Sequence, residues 1–163
     1  MDGMIMICYT EHCSPLGPLL LATTERGLCG IYFEQHKYFN GPQGWRKDAA
    51  HPRLREAARQ LDEYFAGQRH AFHIALDLDG TPFQRAVWEA LQALPFGATA
   101  SYQSIAQRIA RPNAIRAAGT AIGRNPVSII VPCHRVLGRS GALSGYAGGL
   151  SRKQYLLAHE RAA

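Results

Sequence analysis

Short apolar runs separated by turn formers fill the first third of the chain. Residues 4–9 and 19–23 read as strands on either side of Ser14-Pro15-Leu16-Gly17-Pro18, and 28–33 as a third, joined to the second across Glu25-Arg26-Gly27. Residues 38–48 mix Gly, Pro, Asn and charge and read as a surface loop. The apolar period then changes from two to about 3.6. Leu54, Ala57, Ala58, Leu61, Tyr64 and Phe65 recur on one face of a helix predicted over 53–66, which Gly67 stops, and 70–76 returns as a strand. These pieces predict a small sheet covered by a helix. No cluster of polar residues in this half demands a reaction.

Residues 77–81 read as a joint between a first domain, 1–76, and a second, 82–163. Immediately after it, Thr81 can cap, Pro82 suits the first helical position and Gln84 can close a capping box. Phe83, Val87, Trp88 and Leu91 give that helix its apolar stripe, and Pro95-Phe96-Gly97 ends it; Trp88 is best spent as core. Ser101 can cap a further helix over 102–110, and a third runs over 114–123 beyond Arg111-Pro112-Asn113. Such a pair has the look of a helix-turn-helix, although the same pattern serves as a plain packing unit. The β-branched run 127–131 predicts a short buried strand, which Pro132 turns into a rigid corner. The Gly- and Ser-rich stretch 137–149 is loop, and Ser151-Arg152-Lys153-Gln154 reads as a capping box opening a last helix to Glu160. The fold class is therefore mixed α/β of the α+β kind, with a sheet-and-helix first domain and a mostly helical second one carrying a helix-turn-helix.

A chain of 163 residues has room for a proper core, and 47% hydrophobic residues gives no compositional case for disorder. Its apolar runs are too short to span a bilayer, and Met1-Asp2-Gly3-Met4 lacks the basic start of a secretory signal, so no membrane partner and a cytoplasmic location are expected. Cysteines at 8, 13, 29 and 133 do not make a disulfide framework, and reduced thiols are expected. The formal charge of +6 is unevenly placed. Residues 1–80 carry 8 Lys/Arg against 10 Asp/Glu, a balance of −2, whereas 81–163 carry 10 against 2, a balance of +8. A polyanion would be drawn to the second half.

That half also holds the candidate chemistry, around Cys133. Any lone Cys reads first as a small buried hydrophobe, and Cys8, Cys13 and Cys29 are read so. Cys133 differs because Pro132, a potential base at His134 and a permanent cation at Arg135 surround it, and both His134 and Arg135 favour thiolate. In an extended segment the side chains of 133 and 134 point to opposite faces, so contact between them needs a turn or an intervening water. Glu160, one of two acids in this half, is either a solvated last-turn residue or a carboxylate packed behind Cys133 that orients the imidazole. Arg116-Ala117-Ala118-Gly119-Thr120-Ala121 sets one long cation beside small side chains, which suits close approach to a phosphate backbone or, equally, close helix packing.

The sequence resembles the O6-alkylguanine-DNA alkyltransferases. The resemblance is carried by Pro132-Cys133-His134-Arg135-Val136, preceded by Arg124-Asn125-Pro126-Val127 and followed by Ser144-Gly145-Tyr146-Ala147-Gly148-Gly149-Leu150 and Leu156-Leu157-Ala158-His159-Glu160. It is strong over about 82–161, while the first half is similar mainly in layout and in Ser14-Pro15-Leu16-Gly17. The resemblance implies a ribonuclease-H-like first domain and a single-turnover repair protein, a monomer that needs no cofactor, binds double-stranded DNA containing O6-alkylguanine, flips the lesion and takes the alkyl group onto its own cysteine. Repair of O4-alkylthymine is implied as well. On this chain Cys133 is then the nucleophile, His134 the base acting through a water, Glu160 its orienting partner and Tyr102 the phenol that protonates the leaving guanine. Arg116 matches the family's arginine finger, and Ala117, Ala118, Gly119 and Ala121 the small residues that let the helix approach the minor groove. Asn125 matches the residue whose amide braces the turn before the cysteine. Arg135 and Val136 count among the DNA- and lesion-binding residues, the backbone carbonyls of Cys133 and Val136 recognising the guanine edge, and Tyr146 and the backbone of Ala147 correspond to the lesion-pocket loop.

The zinc-binding Cys/His pattern of some relatives is not evident, and no metal is expected. Three other readings remain open: a lesion-binding relative without transfer, in which the cysteine is usually Trp; a thiol hydrolase built on Cys133, His134 and Glu160; and a helix-turn-helix regulator.

Overall fold

A computed structural model describes residues 5–162. Strands β1 (Cys8–Ser14), β2 (Gly17–Thr23) and β3 (Leu28–Phe33) form an antiparallel meander, and a two-residue β4 (Arg46–Lys47) adds in parallel to β1, giving the order β3-β2-β1-β4. The third strand has the predicted limits. The first is displaced: of 4–9, residue 4 lies outside the described residues, and the strand forms over Cys8–Ser14 because the Ser14 hydroxyl closes the turn, donating to the Gly17 carbonyl and accepting from the Leu16 amide. Helix α1 (Pro52–Phe65) covers the sheet, capped by His51, with Leu54, Ala57, Leu61 and Tyr64 facing inward as its periodicity predicts.

Residues 70–76 do not form the expected strand. They run alongside β3 with one bridge, Leu28 to Leu76, because the Gln60 side chain takes the backbone groups of His73 that a neighbouring strand would have paired. The joint that follows is packed rather than free: Thr24 donates to Asp77, the Asp77 amide to the Leu28 carbonyl, and the Leu76–Asp77 backbone lies so close to Gly27 that a Cβ there would clash.

Beyond it come α2 (Pro82–Gln92), with the predicted Thr81–Gln84 capping box in place, then β5 (Ala100–Ser101), α3 (Tyr102–Arg108) and α4 (Ile115–Gly123). Trp88 is buried and donates its indole N–H to the Ala121 carbonyl, tying α2 to α4. After a turn at Cys133–Arg135, β6 (Val136–Leu137) pairs in parallel with β5, and α5 (Leu150–Ala162) closes the chain. This last helix begins one residue before Ser151, so Ser151 lies in its first turn instead of capping it. Gly149, at φ +94°, makes the entry that a side chain would strain.

One hydrophobic core runs through both halves, from Leu19, Ile31, Leu54 and Tyr64 to Trp88, Ile105, Val131 and Leu156. Among the described residues, no helix is long and apolar enough to cross a membrane.

Candidate active site

The expected strand over 127–131 is absent. Only Val127 pairs, bridging to Ile31 on the outer edge of β3: the Ile31 amide donates to the Pro126 carbonyl and the Ser128 amide to the Ile31 carbonyl. The chain then curls, with Val131 N–H returning to the Val127 carbonyl at 3.0 Å and Ile129 held at φ +72°, a left-handed conformation that a β-branched residue rarely adopts. Asn125 is the reason that a curl outcompetes a strand. Its Oδ1 accepts from Val127 N–H at 3.0 Å and its Nδ2 donates to the Val131 carbonyl at 2.8 Å, so one buried side chain satisfies the groups a sheet would have paired. The edge of the first-half sheet thus anchors the turn that carries Cys133.

Cys133 opens a single 3-10 turn, Cys133–Arg135, and is 6% exposed. Its sulfur accepts from Asn125 Nδ2 at 3.2 Å. Burial pushes the thiol above its ordinary value, against the opposing pull of the Asn125 amide and the Lys153 ammonium. The resting group is therefore a neutral thiol that requires a base.

His134 is completely buried, and burial lowers its proton affinity despite the neighbouring Glu160. Its Nε2 lies 2.7 Å from Glu160 Oε2, which as a carboxylate can only accept, so Nε2 carries the proton and Nδ1 presents a lone pair. Nδ1 has no hydrogen-bond partner among the described residues. The imidazole is held neutral, in one tautomer, with its basic nitrogen unused.

Glu160 is the hub of this arrangement. It is 3% exposed, settling in favour of a packed carboxylate what the sequence left open. It accepts from His134, from Arg135 Nε and Nη2 at 2.8 and 3.0 Å, from the Gly97 amide at 3.3 Å and from the Tyr64 hydroxyl at 2.7 Å. Burial alone would raise its pKa, but the bonds from His134, Arg135 and Tyr64 outweigh it and hold the carboxyl well below the usual range.

Arg135 departs from expectation. Its guanidinium turns inward to Glu160 and donates Nη1 to the Leu94 carbonyl at 2.7 Å, and its residue is 5% exposed. Neutralising the buried carboxylate wins over facing a polyanion, so Arg135 is neither a surface DNA contact nor a free cation beside the sulfur. The helical period likewise divides the small residues of α4. Arg116 and Ala117 are exposed and Gly119 half-buried, whereas Ala118 and Ala121 face the core and do not line an outer surface. The Val136 side chain is also buried, in the β5–β6 ladder.

Tyr102 follows directly on Ser101, the last residue of β5, and opens α3. Its hydroxyl is 2.8 Å from Ser144 Oγ, and its ring lies against Gly119. Tyr102, Arg116 and Gly119 share with Gly145, Tyr146 and Ala147 the lining of a cavity of about 440 Å³. Cys133 is not on that wall. The sulfur sits next to Tyr146, whose phenol is buried, without a hydrogen-bond partner among the described residues, and held well above its ordinary pKa by burial and then by Cys133.

Several residues at this site carry no mark in the sequence. Lys37, and Tyr38 at the start of the stretch read as surface loop, complete the cavity wall: the Lys37 amide donates to the Ala147 carbonyl at 2.9 Å, and Arg124 lies 4.1 Å over the Tyr38 ring. Lys153 is 1% exposed and donates to the Ser144 carbonyl at 3.0 Å. Tyr64 looks in the sequence like one more core position of α1. No local signal distinguishes these residues, because each acquires its role from a segment distant in sequence. Among the described residues, no group of three or more His, Cys, Asp or Glu side chains is placed to hold a metal ion.

Comparison with known proteins bears on both halves. The model of the 6-O-methylguanine DNA methyltransferase DNA binding domain matches residues 82–162, and that of the same family's ribonuclease-like domain matches 7–78. The methylated-DNA--protein-cysteine methyltransferase of Mycolicibacterium paratuberculosis is 49% identical over 157 residues, covering 96% of this chain and 93% of that protein. The protein of the same name from Methanosarcina acetivorans is 47% identical over 150 residues, covering 91% and 95%. Crystal structures of the Mycobacterium tuberculosis O6-methylguanine methyltransferase align with a TM-score of 0.88 at 45% identity, over 96% of this chain and 94% of that one. That of its OGT in complex with DNA gives 0.87 at 42%, over 97% and 94%.

Proposed function

This chain belongs to the 6-O-methylguanine DNA methyltransferase family, and from that premise we propose that it repairs O6-alkylguanine in double-stranded DNA by moving the alkyl group irreversibly to Cys133. The observation that carries the assignment of roles is the bond from His134 Nε2 to Glu160, which leaves Nδ1 with a free lone pair on the residue that follows Cys133.

The chemistry is a displacement at saturated carbon. The thiol proton passes to His134 Nδ1, through a bridging water, and the sulfur attacks the alkyl carbon of the lesion. The S–C bond forms as the bond from carbon to guanine O6 breaks, and the electron pair moves into the purine. Tyr102 donates a proton to N3 of that purine, so guanine leaves neutral; the proton given up by His134 afterwards restores the phenol. No oxyanion hole is needed. Alignment and shielding from bulk water are, and burial of Cys133 with Asn125 donating to its sulfur favours both.

A reactant reaches the sulfur past Tyr146, so the cavity bounded by Tyr102, Tyr146 and Ala147 is where the flipped base is accepted. Arg116, exposed on α4 at the mouth of that cavity, fills the gap the base leaves in the duplex, and Ala117 and Gly119 allow the helix to approach. The excess of basic residues in 81–163 draws in the phosphate backbone. A thioether has no return path in this site, which makes each molecule act once. O4-alkylthymine is a second substrate of the same chemistry. The protein works as a monomer in the cytoplasm, where its four free cysteines stay reduced.

The test is a titration of duplex carrying O6-methylguanine labelled in the methyl group. The label should move to protein until one equivalent is consumed, with guanine restored in the DNA and no transfer in Cys133→Ser. Continued turnover, or transfer persisting in Cys133→Ser, overturns the proposal.

A further inference from the structure

We propose that Tyr64 is a positioning residue for alkyl transfer: through its hydrogen bond to Glu160, the first half of the chain sets the basicity of the His134 imidazole. The inference rests on the function proposed above. The geometry that carries it is a shared atom. Oε2 of Glu160 accepts at once from Tyr64 Oη at 2.7 Å, from His134 Nε2 at 2.7 Å and from Arg135 Nη2 at 3.0 Å. One carboxylate oxygen has a limited charge to share, so each donor weakens its hold on the others.

The ring and the hydroxyl of Tyr64 do separable work. The ring is fully buried in α1 and packs against Phe65, Phe72, Phe96 and His159, a role phenylalanine would fill. A hydroxyl at such a position must find an acceptor, and this one ends on the carboxylate that fixes the base. Burial, and then the charge of Glu160, keep the phenol far above its ordinary pKa, so it remains a neutral donor wherever the protein is folded. The other ionisable groups facing the imidazole are Arg135 from its own turn and Lys153 from α5. His159 and Tyr155 face Tyr64 instead, His159 bonding its carbonyl at 2.8 Å. Arg135 and Lys153 oppose an imidazolium, and Glu160 alone favours it. Tyr64 draws charge from that one favourable neighbour.

The sign follows. Without the hydroxyl, Oε2 gives more of its charge to His134, the imidazole holds a second proton to higher pH, and protonated His134 cannot take the thiol proton. The acid limb of the single-turnover rate therefore moves to higher pH in Tyr64→Phe, by about half a pH unit or more, which is roughly threefold slower transfer on the limb. A limb midpoint unchanged from the wild type overturns the inference, and a lowered melting temperature with that unchanged midpoint reduces Tyr64 to core packing. A second measurement needs no substrate: the NMR titration of His134 in ring-labelled protein, whose midpoint rises in Tyr64→Phe if the inference holds and stays in place if it does not. Should the wild type transfer no alkyl group to Cys133, the proposed function fails, while the titration still decides the role of Tyr64.

Discussion

The side-chain amide of Asn125 donates to the sulfur of Cys133 at 3.2 Å and, from the same nitrogen, to the Val131 carbonyl at 2.8 Å. With Oδ1 accepting from Val127, one side chain shapes the turn and also presents a donor to the proposed nucleophile. An N–H donor binds a thiolate more strongly than a thiol, so this contact strengthens as the sulfur loses its proton. Fold and reactivity meet in a single residue.

Asn125→Ala should therefore do two things. It strands the Val127 N–H and the Val131 carbonyl in a buried turn, at a cost of about 2–4 kcal/mol measured by denaturant unfolding. It also removes a group that lowers the Cys133 pKa, so the pH profile of alkylation by a small haloacetamide moves to higher pH. A destabilised variant with an unmoved profile would confine Asn125 to a structural role.

Acid should weaken the fold in two stages. His134 is buried neutral with a depressed pKa, so protons bind the unfolded chain first and stability falls as pH drops through the ordinary imidazole range near about 6.5. Glu160 has a depressed folded pKa, so its contribution is complete above the ordinary carboxylate value and is lost as pH falls below about 4.5. Glu160→Gln should remove the second contribution while leaving buried Arg135 uncompensated, a loss of about 3–5 kcal/mol at neutral pH. Urea titrations at a series of pH values separate the two stages.

Tyr102→Phe should retain lesion binding, since the ring still lines the cavity beside Gly119, while single-turnover transfer slows by about 10²-fold. Equal losses in binding and rate would assign the hydroxyl to the Ser144 contact instead of to proton donation.

If Arg116 fills the space that a flipped base vacates, as proposed, Arg116→Ala should weaken binding of methylated duplex more than of intact duplex. Affinity for both falls steeply with salt as phosphate contacts release counterions. A uniform loss on both duplexes, with a shallower salt dependence, would make Arg116 a phosphate contact.

Where local physics decides an element, the sequence is a sufficient guide. Leu28–Phe33, the Thr81–Gln84 capping box, the inward stripe of α1 and the burial of Trp88 are all readable from period, cap chemistry and turn residues. The errors share a cause. Residues 70–76 and 127–131 have strand composition, but Gln60 and Asn125 supply the backbone partners from side chains, and composition does not register them. The site divides in the same way. Cys133, His134 and Glu160 were legible through motif resemblance, whereas the inward turn of Arg135, the burial of Lys153 and the reach of Tyr64 across to Glu160 depend on how the two halves pack.

The central claim is that the Cys133 sulfur takes the alkyl carbon. Intact-protein mass spectrometry after incubation with excess O6-methylguanine duplex, followed by peptide fragmentation, tests it directly. The expected result is a gain of a single methylene located on Cys133 throughout the sample. An unmodified mass in protein that demonstrably binds the duplex, or a methyl group found on another residue, would contradict it.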